Sequence, residues 1–356
     1  MLRVLVADDS VFMRKLLIQL IDEEPSMKVI GTAKNGLEAV DLVKGLKPDV
    51  VTMDVEMPRM NGLQALEKIM TECPVPVVMV SSLTHEGAKE TIQALRLGAV
   101  DFIAKPSGSL SADMHLVKDD LIAKIKAASV SSLKKLTPLR GSRVSGFAGA
   151  ERAPALKSES RKSFDQIFAI GTSTGGPRAL ESVLTGLPGD FPYPVLVVQH
   201  MPPKFTLSLA QRLNGLVSLN VVEAEQHQLI AGETVYIAPG GFHMEVSQER
   251  GVYRISLNEE PPRGRHRPSV DVLFESVARL SRLRRHLVIM TGMGGDGAKG
   301  MLEAKQLGAS STIAESEETS LIFGMPRVAI ELGCVDHVVP LHKIADKMVS
   351  VASLPG

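Results

Sequence analysis

Five short β-branched apolar runs, at positions 2–7, 28–33, 49–53, 75–80 and 101–104, constrain the fold of the first third of the chain more than any other feature. Between them lie segments whose apolar residues recur at helical spacing: Phe12, Leu16 and Leu20, then Leu37, Val40 and Val43, then Ile92 and Leu95 ahead of Gly98. A short continuous apolar run is a strand buried on both faces, and a 3.6-residue period is an amphipathic helix. Strict alternation of the two predicts a doubly wound parallel sheet with helices on both sides, and residues 111–126 supply its last helix. At 356 residues the chain exceeds what one core usually holds, so a second domain is expected. Residues 126–162 mark the break, with nine Lys or Arg against two Glu, several Gly and Pro, and no apolar period; they read as a flexible linker. The strand–helix rhythm then resumes at 166–170, 194–199, 234–238 and 286–290, with a β-hairpin predicted from 242–246 and 252–257. The domain plan is therefore 1–125, linker 126–162 and a second α/β domain over 163–356.

Forty basic residues balance forty acidic ones, which removes any whole-chain field toward nucleic acid or an anionic membrane. The basic linker has almost no aromatic residues to stack on bases, and no basic recognition helix follows it, so nucleic-acid partners are not expected. Two distant cysteines, Cys73 and Cys334, form no ligand pair and suit a reducing compartment. No secretion signal or membrane-length apolar run is evident, and a cytoplasmic monomer is expected.

Ligands of open α/β sheets sit beyond the carboxyl ends of the strands, so the residues that follow each run carry the functional signal. In the first domain these are Asp8 and Asp9, then Asp54, then Ser81, then Lys105 with Pro106. Carboxylates gathered in one crevice repel unless a hard cation such as Mg²⁺ binds them, which makes Asp8, Asp9 and Asp54 the predicted ligands. With Mg²⁺ and Lys105 balancing charge, Asp54 can attack a phosphoryl group while Ser81 and Lys105 hold its oxygens.

In the second domain, FAIGTSTGGP places Ser173 on a glycine-rich turn between a strand and a helix. That is the pattern of a nucleophile elbow, although a phosphate-binding turn uses the same glycines. His200 directly follows the strand PVLVVQ, and Asp296 lies in TGMGGDG after HLVIM. The latter loop also spells G-x-G-x-x-G, with Glu317 and Glu318 about twenty residues on, which is the dinucleotide fingerprint. A triad of Ser173 as nucleophile, His200 as base and Asp296 as orienting group accounts for all three strand ends, whereas a dinucleotide accounts for one. A binding-only output domain with an inert Ser173 is the rival reading.

Over residues 1–125 the motifs DD, MDVEMPRMNG, SS and KP resemble those of response-regulator receiver domains, with a flavodoxin-like five-stranded sheet. The resemblance implies a histidine kinase as phosphodonor, Asp54 as acceptor and Phe102 as the aromatic switch; Phe102 also reads simply as a core aromatic. Residues 163–356, through IGTSTGGP, VVQHMPPKFT, IAPGGFHM, RHRPSVDVLF and TGMGGDGAKGM, resemble the catalytic domain of the chemotaxis receptor methylesterase family. That implies hydrolysis of methyl-glutamate esters and some glutamine amides on chemoreceptors, with no cofactor for the hydrolysis. It also implies Thr174 and the Met293 backbone amide near the reaction centre, and His266–Asp271 in a substrate-side loop. Thr172, where the family often has alanine, and Gly295, where it often has asparagine, are the departures.

Overall fold

The computed structural model describes residues 1–105, 114–131 and 164–354. Pro106 and residues 132–162 of the expected linker lie outside the described residues. The first domain runs β1 (Leu2–Ala7), α1 (Val11–Asp22), β2 (Met27–Ala33), α2 (Gly36–Leu46), β3 (Val50–Asp54), α3 (Gly62–Glu72), β4 (Val77–Ser81), α4 (His85–Leu97), β5 (Asp101–Ala104) and α5 (Met114–Val130). Its five strands are parallel in the order β2-β1-β3-β4-β5, so the order reverses beside β1 and opens a crevice at the carboxyl ends of β1 and β3. Each helix start has a sequence cause. Ser10, Asn35 and Thr84 accept backbone N–H bonds as N-caps, and Asn61 with Gln64 closes a capping box on α3.

One boundary differs from expectation. Helix α5 continues to Val130, through the first residues assigned to the linker. Leu121, Ile122, Ile125 and Ala128 are buried along one stripe, so the apolar face persists past the point where composition turns polar.

The second domain runs β6 (Gln166–Thr172), α6 (Gly176–Gly186), β7 (Val195–Gln199), α7 (Phe205–Asn214), β8 (Asn220–Glu223), β9 (Thr234–Ile237), β10 (His243–Glu249), β11 (Val252–Asn258), α8 (Val270–Ala278), β12 (Arg284–Ile289), α9 (Ala298–Gln306), β13 (Ser311–Glu315), α10 (Met325–Glu331), β14 (His337–Val339) and α11 (Ile344–Ala352). Seven strands form a parallel sheet, ordered β14-β13-β12-β6-β7-β9-β8. The predicted hairpin is β10–β11, turning at Arg250 and Gly251, both at positive φ as a tight turn between twisted strands requires. Strands β12, β6 and β7 are neighbours, and this adjacency brings the three loaded loops of the domain together.

The two domains share one apolar cluster. Ile92, Leu95 and Phe102 of the receiver side join Phe205, Leu209 and Leu213 of α7 without a break. The Phe102 and Phe205 rings stack at 4.6 Å and 12°, worth about 0.5–1.5 kcal/mol beyond the area they bury. Around this centre Arg96 pairs with Glu181 at 3.4 Å, Lys204 Nζ donates to Leu83 O at 3.0 Å, and Arg265 pairs with Asp119 at 2.9 Å. Such exposed pairs contribute about 0–1 kcal/mol each, so the aromatic stack and its apolar surroundings dominate the docking.

Candidate functional site

The first crevice gathers what its strand ends carry. Ligand oxygens of Asp8, Asp9 and Asp54 all lie within 4.8 Å of one another. Lys105 Nζ sits 2.7 Å from Asp54 Oδ2 and 3.5 Å from Asp8 Oδ2. Burial, opposed by Lys105, pushes the Asp54 carboxyl up to about 6 and raises Asp8 as well. Burial alone would lower the Lys105 ammonium, but its bond to Asp54 outweighs this and raises it. Asp8 Oδ2 is buried and, beyond the long 3.5 Å approach of Lys105, has no hydrogen-bond partner among the described residues. A buried oxygen without a donor, beside two further carboxylates, is a donor set that fits Mg²⁺. Ser81 closes β4 and its hydroxyl donates to Gly87 O at 3.1 Å. Phe102 is turned inward, 2% exposed, with its ring against the other domain.

In the second crevice Ser173 follows β6, His200 follows β7, and Asp296 lies in the loop after β12. His200 Nε2 is 2.8 Å from Asp296 Oδ2, while His200 Nδ1 is buried and has no hydrogen-bond partner among the described residues. The nitrogen facing the carboxylate is thus Nε2, and the one left to accept a proton is Nδ1. Asp296 also accepts from Ser269 Oγ at 2.8 Å, Val270 N at 2.7 Å and Asp271 N at 3.1 Å. Burial works to raise its pKa, but His200 and these donors at the α8 N-terminus outweigh it and hold the carboxyl well below the usual range. His266 stacks face to face on His200, centroids 3.7 Å apart and planes within 6°. Burial, then His200 itself, brings His266 down to about 4, so a neutral ring covers the base.

Ser173 is fixed through its backbone. Its N–H and the Thr172 hydroxyl both donate to Thr291 O, at 3.0 and 2.9 Å, tying β6 to the loop after β12. The hydroxyl of Thr172, one departure from the family pattern, is thereby satisfied in a fully buried position. Gly292 must lack a side chain, because a Cβ there would come 2.9 Å from Ser173 Cβ. Met293, half-exposed, is the next residue of the same loop. Thr174 is almost fully buried, and its hydroxyl donates to Asp101 Oδ2 of the first domain. Burial raises the Asp101 carboxyl, whose other oxygen accepts from Phe102 N at 2.8 Å; Lys124 Nζ lies 4.0 Å away.

The dinucleotide alternative is closed by a carboxylate from α8. The N-terminus of α9, where a pyrophosphate would bind, is filled by Asp271 Oδ1, which accepts from Gly297 N at 3.0 Å and Gly300 N at 2.7 Å. Asp296 fills the N-terminus of α8 in the same way.

Asp8, Asp9, Asp54 and Lys105 meet in the first crevice, His200 and Asp296 meet in the second, and Phe102 lies at the contact between the domains, while Ser173, Thr174 and Met293 are carried on the loops after β6 and β12. Sequence reasoning missed Asp101 as an inter-domain group and Ser269 as a donor to Asp296. A lone carboxylate opening the apolar run 101–104 was the available signal for Asp101; Ser269 lay within the His266–Asp271 loop that the resemblance marked, without a role of its own.

Known proteins with the same organisation support the division of folds. The CheB methylesterase family profile matches residues 168–348, and that of the response regulator receiver domain matches residues 4–113. The protein-glutamate methylesterase/protein-glutamine glutaminase of Geobacillus kaustophilus is 52% identical over 350 residues, 98% of this chain and 98% of its own. That of Halalkalibacterium halodurans is 48% identical over 351 residues, 98% of this chain and 97% of its own. The crystal structure of the Thermotoga maritima CheB methylesterase catalytic domain is 42% identical and covers 53% of this chain and all of that one, with a TM-score of 0.51. Fold and crevices thus define a response regulator whose output domain is a hydrolase. The chain belongs to the protein-glutamate methylesterase/protein-glutamine glutaminase family.

Proposed function

We propose that Ser173, His200 and Asp296 carry the hydrolysis this family performs, and that docking of the receiver restrains it. As a family member the chain is a phosphorylation-regulated methylesterase and deamidase of chemotaxis signalling. The observation that supports the triad reading is the 2.8 Å bond from His200 Nε2 to an Asp296 held by three further donors, with His200 Nδ1 left open.

In the proposed reaction Ser173 Oγ attacks the carbonyl of a methyl-glutamate ester, or of a glutamine amide, on a chemoreceptor. His200 Nδ1 takes the serine proton and returns it to the departing methanol or ammonia, leaving a glutamyl ester on Ser173. Water, deprotonated by the same nitrogen, then releases glutamate and restores Ser173. Asp296 stabilises the imidazolium formed in each half, and the backbone amides of Thr174 and Met293 face the developing oxyanion.

In the receiver, Mg²⁺ would be held by Asp8, Asp9 and Asp54, where it would supply charge neutralisation for an incoming phosphoryl group. Asp54 is the acceptor from a histidine kinase, and Ser81 and Lys105 hold the transferred oxygens. Among the described residues no helix is long and apolar enough to cross a membrane, which fits the proposed cytoplasmic location. Phosphorylation is read through Phe102 and Asp101, the consecutive residues of β5 that hold Phe205 and Thr174. We place the first domain boundary after Ser131, because α5 runs to Val130, and the catalytic domain from residue 163. Methanol release from methylated receptor, measured for wild type and Ser173→Ala with and without a small phosphodonor, tests the reading. Undiminished release by folded Ser173→Ala would remove it.

A further inference from the structure

His243 opens β10 and is 1% exposed, with both ring nitrogens engaged. Its Nε2 lies 3.2 Å from Pro261 O, and a carbonyl can only accept, so Nε2 carries the proton. Its Nδ1 is therefore a lone pair, and it accepts the N–H of Ser269 at 3.2 Å. Ser269 is fully buried and is the N-cap residue of α8, yet its hydroxyl does not cap that helix. Instead Ser269 Oγ donates to Asp296, as do the next two backbone amides, those of Val270 and Asp271. The Ser269 backbone is thus a pivot, gripped on one side by His243 and gripping Asp296 on the other.

We infer that His243 is a positioning residue for the hydrolysis, acting through Ser269 on Asp296 and so on His200. The inference rests on the triad reading. Without an acceptor at Nδ1, the buried Ser269 N–H has no partner, and the cap must turn to find one. Any such turn moves three donors at once, because all three sit on consecutive residues of one helix start. Asp296 then loses its fixed orientation toward His200 Nε2, and a displacement of about 1 Å in such a group can cost about a hundredfold in rate. The charged and titratable groups around the relay are few. Asp296 is faced by His200, by Asp271 and by Arg263, while His200 is covered by His266, which feels Lys124 and Arg265.

The test uses the full-length protein with a small phosphodonor and follows methanol release from methylated receptor. His243→Leu removes the acceptor, His243→Asn places a carbonyl oxygen where Nδ1 stood, and His243→Gln places its amide where Nε2 stood. We expect His243→Leu to lower kcat about tenfold or more with KM within about twofold, and His243→Asn to recover most of the loss while His243→Gln does not. The acid limb of the kcat profile of His243→Leu moves to lower pH, because the imidazolium has lost part of its carboxylate support. In an Asp296→Asn background His243→Leu costs little more, since the route it acts through is already cut. Equal activity of His243→Asn and His243→Leu, or a full additive loss on Asp296→Asn, would overturn the inference. Should His243→Leu fail to fold, the Asn and Gln variants decide it by the same criteria. Full activity of Asp296→Asn alone would instead remove the triad, and the His243 route with it.

Discussion

Asp54 and Asp296 are the same residue type at the carboxyl edges of two parallel sheets, one closing β3 and the other in the loop after β12, and their surroundings differ in nearly every respect. Among the described residues Asp54 has one backbone donor, Glu56 N at 3.4 Å, one cation, Lys105, and a second carboxylate beside it in Asp8. Asp296 has a hydroxyl and two backbone amides on a rigid helix start, plus an imidazole. Accordingly the first carboxyl is raised to about 6 and the second is held low. In the proposed role Asp54 must exchange partners with metal and phosphoryl group, and side-chain contacts can be exchanged. An orienting group must not move, so it is held by backbone.

The sharpest way to break this comparison is to remove the chemistry each carboxylate serves. Ser173→Ala or His200→Ala should lower methanol release by roughly 10⁴–10⁶-fold in folded protein, and Asp296→Asn by less, because orientation and charge are its only contributions. Asp54→Asn should leave basal turnover intact but abolish phosphate incorporation and the activation that follows, a coupling of about 5- to 150-fold. Chelation of Mg²⁺ should have the same effect on incorporation; labelling that persists in chelator, or in Asp54→Asn, would show another acceptor. Asp101→Ala removes the bond to Thr174 and should raise the basal rate of unphosphorylated protein a few-fold. A small soluble ester makes the informative substrate there, since it needs little room: relief on that ester points to a restrained Thr174 loop, and relief on receptor alone to simple cover.

The smallest effect concerns stability, and its sign separates the two carboxylates. Asp54 binds its proton more tightly folded than unfolded, so it destabilises the receiver increasingly as pH rises from about 4 through about 6. Asp54→Asn should therefore raise the melting temperature at pH 7, and the gain should vanish below about pH 4. Asp296 shows the reverse: its stabilisation is present above the ordinary carboxyl range and is lost as pH falls through its depressed value. Asp296→Asn should cost about 1–3 kcal/mol at pH 7, because its amide meets donors that need an acceptor. Calorimetric pH series on the two variants would check both signs.

Much of this was legible in the sequence because it is local. Continuous apolar runs and 3.6-residue patterns mark strands and helices, parallel sheets fix where loops point, and so the sequence alone places Asp8, Asp54, Ser173, His200 and Asp296 at strand ends. What was not legible depends on contacts between distant segments. Asp101 meets Thr174 across 73 positions, and His243 meets Ser269 across 26. Nothing in a strand-end aspartate or a lone histidine announces such a partner. The end of α5 was misplaced for a different reason, since its polar face changes composition several residues before its buried stripe stops.

The unbroken apolar cluster that joins α4 and β5 to α7 has a thermodynamic consequence. While the domains are docked, this shared cluster couples them, so the two folds should melt as one cooperative unit with a single heat-absorption peak. If phosphorylation parts them, as the proposed regulation requires, each must bury its share of that cluster independently, and the peak should split in two. The number of calorimetric transitions then reports the state of Asp54 without any substrate being present.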